Sequence, residues 1–149
     1  MVSELKFIRV KNVKQPQRGT PESAGIDFFV PDEFETLGLL PGESCFIPSG
    51  IKVNVPAGHA LVAFNKSGVA VKKNLHVGAC VVDEDYQGEV HLNLTNTGNQ
   101  LQIIERGDKI VQFILLPVNY ANPVEVEPKD LYDKTSKRGE GGFGSTGTK

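Results

Sequence analysis

The feature that most constrains this chain is the regular interruption of short β-type runs by residues that break strands. Apolar and β-branched residues cluster at 5–10, 51–55, 59–64, 77–82, 90–95, 109–118 and 124–127, lengths that suit strands. Alternation is cleanest at Ile51, Val53 and Val55 and at Val90, Leu92 and Leu94, with polar or charged residues between them. That is the pattern of a strand with one face buried. Between the runs stand Pro41-Gly42, Pro48-Ser49-Gly50, Pro56-Ala57-Gly58, Gln87-Gly88 and Gly98-Asn99, able to supply the fixed or positive φ that turns require. An all-β sandwich or barrel is therefore predicted. The only helical piece expected is a turn or two after Ser67, its N-cap, continuing through 69–73.

From about residue 127 the composition turns polar, charged and glycine-rich. The chain is expected to comprise one β core over 1–127 and an arm over 128–149. Basic and acidic residues nearly cancel, 16 against 18 for a net charge of -2, which argues against a protein that coats nucleic acid or lies on anionic lipid. The first dozen residues interleave Lys6, Arg9 and Lys11 with apolar side chains, so neither a signal peptide nor a membrane anchor is expected. Cys45 and Cys80 stand far apart with no CxxC spacing, which suggests reduced thiols in an intracellular, cytoplasmic protein, the host's cytoplasm if the source is viral.

Five segments carry residues suited to chemistry. The loop Asp83-Glu84-Asp85-Tyr86-Gln87-Gly88-Glu89 gathers carboxylates and a phenol on one hairpin tip. It is either an inert acidic turn or a site where a carboxylate activates water or helps hold a metal, with Tyr86 stacking on a sugar or base. Lys66-Ser67-Gly68 precedes the helical turn, either as a plain cap or as a phosphate site. Gln112 interrupts the apolar run after Arg106-Gly107-Asp108-Lys109, either on the polar face of an edge strand or as a buried amide that needs partners or a ligand. Asp27 lies in the apolar run after Ser23-Ala24-Gly25, either capping a turn or retained as a charge for a purpose. The arm ends in GEGGFGSTG, residues 139–147, preceded by Lys137 and Arg138. It is either a solvated tail or a polyphosphate-binding segment, in which glycine amides and hydroxyls face an anion, Arg138 adds a fork-shaped cation and Phe143 a stacking face.

Taken in order, SAGIDFF, NKSGVA, GACVVDEDYQGEV, RGDKIVQ and RGEGGFGSTG resemble the five motifs of the trimeric dUTPase family. The resemblance spans 23–147 and implies a β-jelly-roll protomer with at most one short helix and a flexible glycine-rich arm. It implies a homotrimer whose active sites each draw on all three chains. The implied activity is Mg2+-assisted hydrolysis of dUTP to dUMP and pyrophosphate, which keeps uracil out of DNA and supplies dUMP for dTMP synthesis. Asp83 matches the aspartate that activates water for attack on the α-phosphorus, and Tyr86 the residue that stacks on deoxyribose. Cys80, His91 and Phe143 would contact base or sugar. Lys66, Ser67, Gly68, Gln112, Arg138, Gly144, Ser145 and Thr146 would hold phosphates, and Asp27 would reach the metal through water. The sequence departs from the family at Lys66, where Arg is usual, and at Cys80, where a small residue lines the base pocket through its backbone. A dCTP deaminase of the same fold and a non-catalytic nucleotide-binding jelly roll are the alternatives.

Overall fold

The computed structural model describes residues 4–149; residues 1–3, which open the expected 1–127 core, lie outside the described residues. The chain divides into two compact units, Met1–Asn119 and Tyr120–Lys149. The first unit holds all the strands: β1 (Lys6–Arg9), β2 (Ile26–Phe28), β3 (Leu37–Leu39), β4 (Ser44–Pro48), β5 (Ile51–Asn54), β6 (His59–Asn65), β7 (Leu75–Val77), β8 (Val81–Val82), β9 (His91–Asn96), β10 (Gln102–Ile104) and β11 (Val111–Pro117). One helix, α1 (Ser67–Lys73), follows β6. All pairings are antiparallel: β1 with β5, β3 with β10, a sheet in the order β2-β11-β6-β8 and another in the order β4-β9-β7. This is the expected all-β jelly roll with a single short helix.

Alternation decides what the strands bury. Ile51 and Val53 of β5 and Leu92 and Leu94 of β9 face the core, with Phe28, Leu61, Ile104 and Phe113 around them. Phe28 and Phe113 pack with ring centroids 4.4 Å apart. Every residue of the buried cluster lies between Val13 and Phe113. Gly42, Gly50 and Gly58 take φ of 85°, 75° and 78°, the left-handed conformation that the Pro-Gly turns predict. Asn96 is buried; its amide donates to Leu39 O and Gln100 O, both at 2.8 Å, tying β3 to the β9–β10 turn.

Four strands escaped the periodicity analysis, β2, β3, β4 and β10. Three of them have only three residues, too few for alternation to register, and β4 ends in Pro48 on a sheet edge, where a missing amide is tolerated. The expected strand at 77–82 breaks in two. Its first part pairs with β9 and its second with β6, so residues 78–80 carry the chain from one sheet to the other. A side chain at Gly78 would meet Asn93 Oδ1 at 2.3 Å. The expected strand at 124–127 is not a strand: Val124 and Val126 are exposed and unpaired in the second unit. The N-cap of α1 is Lys66, not Ser67, and no side chain bonds the cap; Asn74 closes the helix in the left-handed conformation at φ 52°. Among the described residues no helix is long and apolar enough to cross a membrane.

Candidate active site

Two clusters form within the first unit. In the first, Asp27 of β2 lies opposite Gln112 of β11, and Gln112 lies opposite Phe64 of β6. β11 is central in its sheet, so Gln112 is not on an edge strand. Its amide nitrogen donates to Asn65 O at 2.8 Å. Asp27 does not cap a turn: it is 5% exposed within β2, and its carboxylate accepts a hydrogen bond from Lys66 Nζ. A buried carboxylate needs such a partner. The pairing also gives the ammonium a fixed direction, as a lone lysine lacks a rigid fork. Ser67 and Gly68 follow at the exposed start of α1. The structure thus joins the SAGIDFF, NKSGVA and RGDKIVQ segments.

Gly25 makes that junction possible. A β-carbon built there would lie 2.1 Å from Gln112 Oε1 and 2.7 Å from its Cδ. Gly25→Ala is expected to push the Gln112 amide from its place and to raise KM for substrate about tenfold or more, since one lost polar contact of about 1.4 kcal/mol is tenfold. Steady-state kinetics check this, and an unchanged KM would remove Gln112 from the binding surface.

The second cluster belongs to the segment that links β8 to β9. Asp83 is exposed at its start, and its carbonyl accepts from Tyr86 N at 3.1 Å. Tyr86 Oη donates to Glu89 O at 2.8 Å. The phenol lies over Gly88, where a β-carbon would sit 2.5 Å from Oη and 2.6 Å from Cζ. Gly88 is thus selected by close approach and not by positive φ, unlike the Pro-Gly turns. Glu84 accepts a hydrogen bond from Gly58 N. His91 opens β9; its Nδ1 lies 2.9 Å from Glu89 O and its ring stacks on Phe46, centroids 4.3 Å apart and 6° from parallel.

The Cys80 side chain packs against the hydrophobic cluster while its carbonyl accepts from Ala63 N at 2.8 Å. The main chain of 78–80 is tied to its neighbours, with Gly78 N also donating to Asn93 O at 3.0 Å. Asn93 holds that segment: its Oδ1 accepts from Ala79 N at 2.7 Å and its Nδ2 donates to Cys45 O at 2.8 Å. The motifs do not include Asn93. Its only sequence signal is a period-2 match with His91 and Thr95, on the face opposite Leu92 and Leu94. Burial pushes the Cys45 thiol above its ordinary value despite backbone hydrogen bonds that oppose the shift, so Cys45 is a core residue and not a nucleophile.

Glu89 lies in the acidic loop, but the sequence assigns it no role of its own. Its carboxylate accepts from Lys11 Nζ at 2.7 and 2.9 Å and from Gly50 N at 2.8 Å. Partial burial would raise its carboxyl, and the Lys11 ammonium, the Gly50 amide and the nearby His91 outweigh that and hold it below the ordinary carboxylate value.

The two clusters do not meet within one chain. Val82, which precedes Asp83, pairs with Leu61 near the start of β6, whereas Lys66 follows the end of β6. At about 3.3 Å per strand residue Asp83 and the Asp27–Lys66–Gln112 cluster lie on the order of 15–20 Å apart.

The second unit contains a 3-10 turn at Pro128–Asp130 and a series of tight turns, with Arg138 Nε donating to Gly141 O at 3.0 Å and Gly139 N to Ser136 Oγ at 3.0 Å. Gly144 has φ 91°, and Ser145 N donates to Gly142 O at 3.2 Å. Thr146 is exposed. Phe143 takes φ 50°, rare for a residue with a β-carbon, and its ring is fully exposed.

A family model described as dUTPase matches residues 11–147. The chain belongs to the dUTPase family. It is 43% identical to the deoxyuridine 5'-triphosphate nucleotidohydrolase of Maricaulis maris over 141 residues, 90% of this chain and 88% of that protein. It is 36% identical to the mouse enzyme of the same name over 146 residues, 97% of this chain and 86% of the relative. Among solved structures, the Staphylococcus bacteriophage 80alpha dUTPase with dUPNHPP is 25% identical, with a TM-score of 0.83 covering 99% of this dUTPase and 100% of that chain.

Proposed function

We propose that this dUTPase hydrolyses dUTP to dUMP and pyrophosphate in active sites assembled from more than one copy of the chain, in a homotrimer. Family membership carries the activity. The separation of Asp83 from the Asp27–Lys66–Gln112 cluster along β6 supports the shared site. A closed ring of identical heads and tails would bring one chain's Asp83 segment against another chain's phosphate cluster.

In that site Asp83 orients and deprotonates the water that attacks the α-phosphorus. Tyr86 stacks on deoxyribose and leaves no room for a 2′-hydroxyl. The segment 78–80, held by Asn93, and His91 meet the base or sugar, while the Cys80 side chain packs partly buried against the core. Lys66, with Gln112 and the start of α1 at Ser67 and Gly68, binds phosphate oxygens, while Arg138, Gly144, Ser145 and Thr146 of the arm bind the γ-phosphate end and Phe143 covers the uracil. Among the described residues no three His, Cys, Asp or Glu side chains converge as a metal cage, and Asp27 is one carboxylate beside a lysine. That donor set fits Mg2+, which takes few protein oxygens and several from substrate phosphates and water. Asp27 would hold it through water. Mg2+, when bound, neutralises phosphate charge that would repel the nucleophile. The two free thiols support a reducing compartment, which we take to be the cytoplasm. There the reaction keeps uracil from DNA and yields dUMP for dTMP synthesis.

Mixing two inactive variants tests the shared site. Asp83→Asn and Lys66→Ala, unfolded together and reassembled in equal amounts, are expected to regain about a quarter of wild-type pyrophosphate release, because three-quarters of random trimers are mixed and each holds one intact site of three. No regain would place both groups in the same chain's site. Ammonia released from dCTP by the wild-type protein would instead mark a deaminase.

A further inference from the structure

We infer that the Lys11–Glu89 ion pair positions Tyr86 and thereby sets how strongly the enzyme prefers a deoxyribonucleotide to a ribonucleotide. The inference rests on the assignment of Tyr86 to the sugar. A tyrosine that excludes one hydroxyl has to be held to within a fraction of an ångström, since a shift of about 1 Å opens the space that a hydroxyl fills. Tyr86 is 41% exposed on a loop, where nothing in the strand ladder holds it. Among the described residues its phenol has one hydrogen bond, to the carbonyl of Glu89. The position of that carbonyl therefore sets the position of the ring.

Glu89 is anchored on every side. Its two carboxylate oxygens take the Lys11 ammonium at 2.7 and 2.9 Å, and one of them also takes Gly50 N at 2.8 Å. Next to it, Val90 N donates to Ile51 O and Val90 O accepts from Ser49 N, both at 2.9 Å. Lys11 is itself fixed because Val10 N donates to Gly50 O at 2.7 Å. Gly50 allows the approach: a β-carbon there would lie 3.0 Å from Lys11 Cβ and 3.1 Å from Val13 Cγ1. The side chains are 28% and 19% exposed, so the pair is partly shielded from water and holds its geometry better than a surface pair. The chain of contacts runs from the 49–51 turn and the segment after β1, through Glu89, to the Tyr86 hydroxyl. Lys11 and Glu89 touch no substrate in this scheme; they are positioning residues.

The test compares kcat/KM for dUTP and UTP in the full-length enzyme. Lys11→Met and Glu89→Gln are each expected to lower the dUTP-to-UTP ratio about tenfold, mainly through a lower KM for UTP, while Lys11→Arg, which keeps the charge, stays within about twofold of wild type. Tyr86→Ala is measured beside them. If Tyr86→Ala lowers the ratio and both tether variants keep it, the inference fails alone. If Tyr86→Ala keeps the ratio, the assignment of Tyr86 to the sugar fails and takes the inference with it. A lower melting temperature with an unchanged ratio would make the ion pair structural only and would also overturn the inference. Should Glu89→Gln not fold, Lys11→Met carries the test, since Met retains the aliphatic stem.

Discussion

Asp83→Asn is expected to reduce pyrophosphate release from saturating dUTP by about 100- to 10,000-fold, the range that a positioned general base contributes, or about 3–5 kcal/mol in the barrier. Asparagine has nearly the same shape but cannot accept the proton from water. The fold should be unaffected, because the Asp83 side chain is exposed and the hydrogen bond that organises the loop, Tyr86 N to Asp83 O, uses only the backbone. Affinity for a nonhydrolysable dUTP analogue should change little, since the loss falls on the chemical step. Stopped-flow proton or pyrophosphate release measures the rate and calorimetry the affinity. A variant with near-normal turnover would assign water activation to another group, with Asp85 and Glu84 on the same loop the first to replace.

Removal of residues 137–149 is expected to lower kcat/KM by at least about 100-fold while leaving melting and assembly of the remaining chain near those of the full-length protein. The deletion takes away Arg138, the glycine amides and Phe143. Two or three charge-assisted hydrogen bonds of about 1.5–3 kcal/mol each exceed the 2.7 kcal/mol that a 100-fold change requires. The stability expectation comes from the packing. Every residue of the buried cluster lies between Val13 and Phe113, and the first compact unit ends at Asn119, so the deletion removes no residue of the core. Circular dichroism melting and analytical ultracentrifugation check the fold and the assembly, and kinetics on dUTP check the rate. An unaltered rate would return the arm to a solvated tail. Full loss of folding would mean that the arm stabilises the trimer and does not only close the site.

Much of the fold was legible in the alternation of β5 and β9 and in the Pro-Gly turns, because a half-buried strand imposes a period of two and a left-handed turn favours glycine. Strands of three residues were not legible. Ile26–Phe28 is buried at every position, so it shows no alternation. Residues 77–82 read as one strand because a change of sheet leaves no mark on hydrophobicity. Val124 and Val126 have the composition of a strand, and only the lack of a pairing partner shows that they do not form one.

The sequence alone determined the class of fold, the identity of the motif residues and, through their order, the family. Those properties are written in residue type and spacing, which are local. Tertiary structure decided which of these residues meet. Asp27 could be read as a turn cap until β2 was paired with β11 and brought beside the end of β6, where Lys66 satisfies its charge. Asp83 and Lys66 are 17 residues apart in the sequence, yet they stand at opposite ends of one strand because β8 pairs with the start of β6. Glu89, Asn93 and Gly88 acquire roles only through contacts with Lys11, Ala79 and Tyr86. Such contacts depend on register between strands, and a single side chain carries no record of the register in which its strand will pair.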